Sequence, residues 1–154
     1  MEQYDSRPDT LKHKLRVQTL ITDFCMQMSD IAKEHDNSKL EEPEKSIFDK
    51  MTPRLAKLEY GSDEYKESLK ELGVALDHHY KENSHHPEHN AFGINGMNLF
   101  DIIEMFMDWK AAGERHNTGC IFKSIEVNKN RFNMSDQLVE IFKNTADKLG
   151  WEPK

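Results

Sequence analysis

Apolar side chains recur at steps of mostly three and four over residues 9 to 35, at Leu11, Leu15, Val17, Leu20, Ile21, Phe24, Cys25, Met28, Ile31 and Ala32. That is helical periodicity, and Asp9 or Thr10 can cap its start. Ser29 is a candidate N-cap for a second, short helix that ends in His35-Asp36. The break matters because one unbroken helix would hold His13 and His35 about 33 Å apart at 1.5 Å per residue. A shared site therefore requires a chain reversal near Met28 and Ser29.

Glu41 to Pro43 reads as a loop, with helix resuming around Lys45 to Met51 and a short amphipathic piece over 53 to 59. Tyr60-Gly61-Ser62-Asp63 is a turn in which Ser62 or Asp63 can cap a helix reaching Tyr80, with Tyr65, Leu69, Leu72, Leu76 and His79 on one stripe. Asn83 to Asn95 is polar and turn-rich. A strong helix follows from Asn98 to Ala112, with Leu99, Ile102, Ile103, Phe106 and Trp109 on its apolar side and Gly113 as its stop. Residues 113 to 134 look irregular, apart from a short helical piece near Lys123 to Asn130. Ser135 caps a last helix, 135–149, carrying Leu138, Val139, Ile141, Phe142, Ala146 and Leu149 before Gly150. No stretch alternates as a strand does and no repeat is visible, so the expected class is all-α, in one domain over residues 1–154.

Composition narrows the function. At 154 residues the chain can bury a core without disulfide staples. A net charge of −7 argues against an extended nucleic-acid surface. A small phosphorylated ligand stays open, because a bound cation would bring its own positive charge. Cys25 and Cys120 lie far apart and outside any Cys-x-x-Cys pair, which suits thiols in a reducing compartment. Met1 to Pro8 lacks the apolar core of a signal peptide, and no apolar run is long enough to span a bilayer. The expectation is a cytoplasmic protein, for which a homo-oligomer is compatible.

The chemistry concentrates between Asp77 and His89, which holds five of the eight histidines. Imidazole is the commonest protein ligand of transition metals and is neutral near physiological pH. A helix continued to about Glu82 puts His79 and Asn83 on one face, with His85, His86 and His89 in the following loop, which Pro87 stiffens. Upstream, an adjacent His35 and Asp36 at a helix end can offer one nitrogen and one carboxylate oxygen to a single ion, although a solvated helix end looks the same. Downstream, Glu104 and Asp108 are spaced i, i+4 beside Met105, Phe106 and Trp109. A carboxylate at the edge of an apolar face is costly unless paired, and Asp101 extends that polar line by one turn. Lys39, three residues past Asp36, can neutralise a phosphate oxygen, or can be a solvated lysine. His13 and His116 are isolated in sequence.

In order, His13, His35-Asp36, His79, His86 and Asp108 resemble the ligand order of the HD-domain superfamily of metal-dependent phosphohydrolases. Three motifs are similar to those of a family of small bacterial and viral proteins of unassigned function. These are His-Asp-x-Ser-Lys at His35 to Lys39, His-x-x-x-Asn-x-His-His-Pro-Glu at His79 to Glu88, and Glu-Met-x-x-Asp-Trp at Glu104 to Trp109. The likeness covers about residues 13 to 112. The resemblance implies a compact HD-domain-like helical bundle holding one or two divalent cations (Mn, Fe, Mg, Co or Zn). His13, His35, Asp36 and Asp108 would hold the first, and His79 and His86, with or without His85, would hold a second or meet the leaving oxygen. Glu104 or Glu88 would orient a water or a ligand histidine. Asn83, Lys39 and His85 would face the substrate, with Lys39 also assisting catalysis.

Three functions follow. The leading expectation is hydrolysis of a nucleotide or other small phosphoester by a metal-activated water. A di-iron oxygenase of the HD type would use a similar donor set. A helical module that binds a partner or a metal without catalysis is the third.

Overall fold

The computed structural model describes residues 4–55, 63–115 and 119–151. Among them are six α-helices and no strand, so the chain is all-α as its periodicity predicts. The expected turn at Tyr60 to Ser62, the piece over 56 to 59, the side chains of Tyr65 and Leu69, and His116 lie outside the described residues. No helix is long and apolar enough to cross a membrane, among the described residues.

The chain divides into two compact units, Met1–His35 and Asp36–Lys154. The first is one helix, α1 (Arg7–Glu34), of 28 residues with none buried. Ser29 therefore does not begin a new helix. No glycine or proline interrupts Met26 to Lys33, and Met28, Ile31, Ala32 and Lys33 all tolerate helical geometry, so a lone serine is too weak a signal to break it. The chain instead leaves the helix at His35, whose ψ is 126°, and turns at Asp36, whose φ is 58°. Aspartate is one of the few residues besides glycine that enters this left-handed region at modest cost.

In the second unit, α2 (Glu44–Leu55) and α3 (Asp63–Glu82) pack around Met51, Leu72 and Ala75, with Ile47, Phe48 and Leu76 against them. The larger core joins α4 (Leu99–Glu114), α5 (Ile121–Phe132) and α6 (Asp136–Lys148). Met105, Phe106, Ile121, Ile125, Met134, Val139, Phe142 and Ala146 are buried there. Phe106 and Phe142 stack with ring centroids 4.5 Å apart, and Trp109 meets Phe142 edge-on.

Two boundaries differ from expectation. Residues 121 to 132 form a full helix where an irregular stretch with a shorter helix was expected. Its β-branched and asparagine residues are poor helix formers, but burial of Ile121 and Ile125 outweighs propensity. Helix α4 passes Gly113 to end at Glu114, and Leu99, expected on its apolar side, is exposed. The cap at Ser135 forms as predicted, its side chain accepting the Leu138 N–H, and Asn98, expected inside α4, instead caps it by accepting the Phe100 and Asp101 N–H groups.

Candidate metal centre

Four elements of the second unit converge on one cluster. The turn after His35 presents Asp36, the last turn of α3 presents His79, the loop after α3 presents His85 and His86, and α4 contributes acids. Asp36, His79, His85 and His86 each offer a ligand atom, all within 4.8 Å of one another. His79 Nε2 lies 3.2 Å from Asp36 Oδ1 and 2.9 Å from His86 Nε2, and His85 Nε2 lies 3.6 Å from Asp36 Oδ1. Asp108 and His85 also place ligand atoms within 4.8 Å of each other. Neighbouring donors around one ion with bonds of about 2.0–2.1 Å stand at similar separations, so the donor set fits a transition metal.

The two most buried histidines are held from outside the cluster. His79 and His85 are 1% and 2% exposed. Glu44 Oε2 is 3.0 Å from His79 Nδ1, and Glu104 Oε1 is 3.1 Å from His85 Nδ1. In both rings Nδ1 faces a carboxylate and Nε2 faces the cluster, the usual arrangement of metal-ligating histidines. The ring of His86 is 4.3 Å from that of His85 and 4.7 Å from that of His79. Burial first, then the neighbouring His85 and His79, push its pKa down from 6.5 to about 3, against the opposite pull of Asp108 and Asp36. His86 is thus neutral at physiological pH, with a lone pair to donate.

The histidine loop is tied to α4. Asp101, in the first turn of that helix, uses Oδ2 to accept the Asn98 N–H at 3.0 Å, completing the helix cap. Its Oδ1 accepts the Ser84 hydroxyl at 2.7 Å. Pro87 is buried after His86. Asn83 donates to Ser38 Oγ and to the His79 carbonyl, both at 2.8 Å.

Several residues take positions other than those expected. The expected reversal at Met28 and Ser29 is absent, so His13 and His35 sit on one helix about 33 Å apart and cannot hold the same ion. His35 ends the first unit, peptide-bonded to Asp36. His85, expected either to face substrate or to join His79 and His86, lies buried among the donor atoms. Asn83, likewise expected at the substrate, spends its amide hydrogens inside the protein. Glu88, expected to orient a water or a ligand histidine, pairs through Oε1 with Arg131 at 2.7 Å. Glu104 holds a histidine, one of its two expected roles. Lys39 Nζ lies 2.5 Å from Asp36 Oδ2, on the carboxylate itself. Two contributors went unassigned from sequence: Glu44, in a uniformly polar stretch, and Ser38, inside a motif but without a role.

The molecule is therefore an all-helical protein whose larger unit carries a histidine–carboxylate cluster. It belongs to DUF5662, a family of unknown function that matches residues 2–148. No curated protein and no solved structure matches the chain.

Proposed function

We propose that this protein is a metal-dependent phosphohydrolase acting on a nucleotide or another small phosphoester. One observation carries the reading: three imidazoles and a carboxylate converge, and the two buried rings have their outer nitrogens on Glu44 and Glu104. A divalent cation bound there would supply Lewis-acid polarisation of a phosphoryl oxygen and a lowered water pKa. The chain's own residues would do the rest. Asp36 would bring the negative charge that such a cation favours, and His79, His85 and His86 would bring neutral nitrogen donors. Lys39, paired with Asp36 but still 38% exposed, would turn its remaining hydrogens toward a phosphate oxygen. Asp108 would be a further ligand, or a proton acceptor beside His86. The part of the HD ligand order that the cluster keeps, Asp36, His79, His86 and Asp108 without His13, is what makes a nucleotide the favoured substrate class, by analogy.

The high share of imidazole also suits iron, which keeps an HD-type oxygenase as the second reading. The test is metal analysis of protein purified without a histidine tag, then a screen of nucleotides for phosphate release with Mn, Co, Mg and Zn. The expected result is bound metal near stoichiometry and phosphate release that Asp36→Asn abolishes. Tightly held iron with redox-sensitive colour and no phosphate release would favour the oxygenase. No metal above background, and none bound on titration, would sink both.

A further inference from the structure

Glu44 opens α2, is completely buried, and is not itself one of the converging donors. A buried carboxylate is costly unless its lone pairs are used. Here both oxygens are: Oε1 lies 2.8 Å from His78 Nδ1 and Oε2 lies 3.0 Å from His79 Nδ1. The N-terminal end of α2 adds a favourable field for the negative charge.

Hydrogen counting then assigns the tautomer of His79. Three groups reach its Nδ1: Glu44 Oε2, Ser38 Oγ at 3.1 Å and Asn83 Nδ2 at 3.0 Å. Asn83 has two amide hydrogens, and both have nearer acceptors, Ser38 Oγ and the His79 carbonyl. It has none left for the ring. An ionised carboxylate can only accept, so the hydrogen of that contact sits on His79 Nδ1. The carboxylate oxygen nearest Nε2, Asp36 Oδ1, is farther away at 3.2 Å, and His86 Nε2 at 2.9 Å can supply the hydrogen there, so the lone pair of His79 is on Nε2.

We infer that Glu44 is a positioning residue that fixes His79 as the Nδ1–H tautomer with Nε2 turned to the cluster, and that His78 secures Glu44 by using its other oxygen. The adjacent histidines thereby divide the work. His79 presents a donor atom, while His78 (35% exposed at its side chain) keeps the buried carboxylate satisfied. The tautomer assignment stands on the metal-free protein, and its consequence for cation affinity rests on the reading of the cluster as a metal site.

Two measurements test it separately. Long-range proton–nitrogen NMR of ¹⁵N-histidine protein, treated with chelator, reads which ring nitrogen of His79 carries hydrogen. The expected result is Nδ1–H in the wild type and a mixture of tautomers in Glu44→Ala. An Nε2–H wild type overturns the inference without any variant. Titration calorimetry with Zn²⁺ then compares wild type, Glu44→Gln and Glu44→Ala, with folding checked by circular dichroism. Folded variants should bind Zn²⁺ about 10–100-fold more weakly. Folded variants with wild-type affinity and an unchanged His79 ring signature overturn it. A wild type that binds no Zn²⁺ removes the cation reading, while the NMR result still decides the role of Glu44.

Discussion

Acidification of the metal-free protein should destabilise it through His86. The ordinary pKa of 6.5 falls to about 3 in the folded protein. Between those values the unfolded chain binds a proton at this ring and the folded chain does not. The contribution is therefore fully present above about pH 6.5 and is lost as pH falls toward about 3. One proton gives at most about 1.4 kcal/mol per pH unit in that window, and less here because His86 is only partly buried. The assay is urea unfolding of chelator-treated wild type and His86→Ala from about pH 7.5 to about pH 4.5. Groups common to both proteins cancel in the difference of slopes. The wild type should lose stability more steeply, by up to one proton's worth. Added Zn²⁺ should steepen it further, because ligands must shed protons to bind. Equal slopes in the two metal-free proteins, or a shallower wild-type slope, would refute the account of a ring held neutral by burial and by its histidine neighbours.

Other perturbations separate the core, the loop and the surface. Phe142→Ala removes a ring that is 3% exposed and stacked on Phe106. Calorimetric or urea unfolding should show a loss of about 3–5 kcal/mol, whereas Phe142→Leu should cost less than half of that. Asp101→Ala cuts the helix cap and the Ser84 hydroxyl together. It should cost about 1–3 kcal/mol and also weaken Zn²⁺ binding, and unchanged Zn²⁺ affinity would show that the loop holds its geometry without α4. Arg131→Ala removes an ion pair with exposed partners. It should change stability by less than about 1 kcal/mol and leave Zn²⁺ affinity within about twofold of wild type.

Much of the secondary structure was legible where periodicity and caps agreed. Ser135 marks the start of α6 because its side-chain acceptor is followed by apolar residues at helical steps, and the spacing of Ile102, Phe106 and Trp109 marks α4. Helix α5 was not, because its stability comes from Ile121 and Ile125 meeting a core that only the folded chain assembles. The candidate site divides in the same way. Asp36, His79, His86 and Asp108 stand out because imidazoles and isolated acids carry chemistry on their faces. Glu44 does not, since its surroundings, Glu41 to Lys45, read as solvated polar chain. Nothing local distinguishes an acid bound for water from one that α2 and α3 enclose. Which histidines turn inward was also not legible from spacing. That depends on the path of the loop, set by the burial of Pro87 and by Ser84 on Asp101.

The acids of α4 make the link between fold and site explicit. Asp101, Glu104 and Asp108 follow one another at steps of three and four, the spacing of a single helical stripe, and an amphipathic helix normally gives such a stripe to water. Here each acid meets a different part of the histidine loop: Asp101 holds Ser84, Glu104 holds His85 Nδ1, and Asp108 approaches His85 and acts electrostatically on His86. Phe106, on the opposite side of the same helix, and Met105, beside the acid stripe, both reach into the large core. A displacement of α4 that the core resists would move all three acids together. The rigidity of the Phe106–Phe142 packing is therefore transmitted to the loop as fixed spacing between donors. That lets a short, polar, turn-rich segment keep three imidazoles converged without a strand or a disulfide among the described residues to brace it.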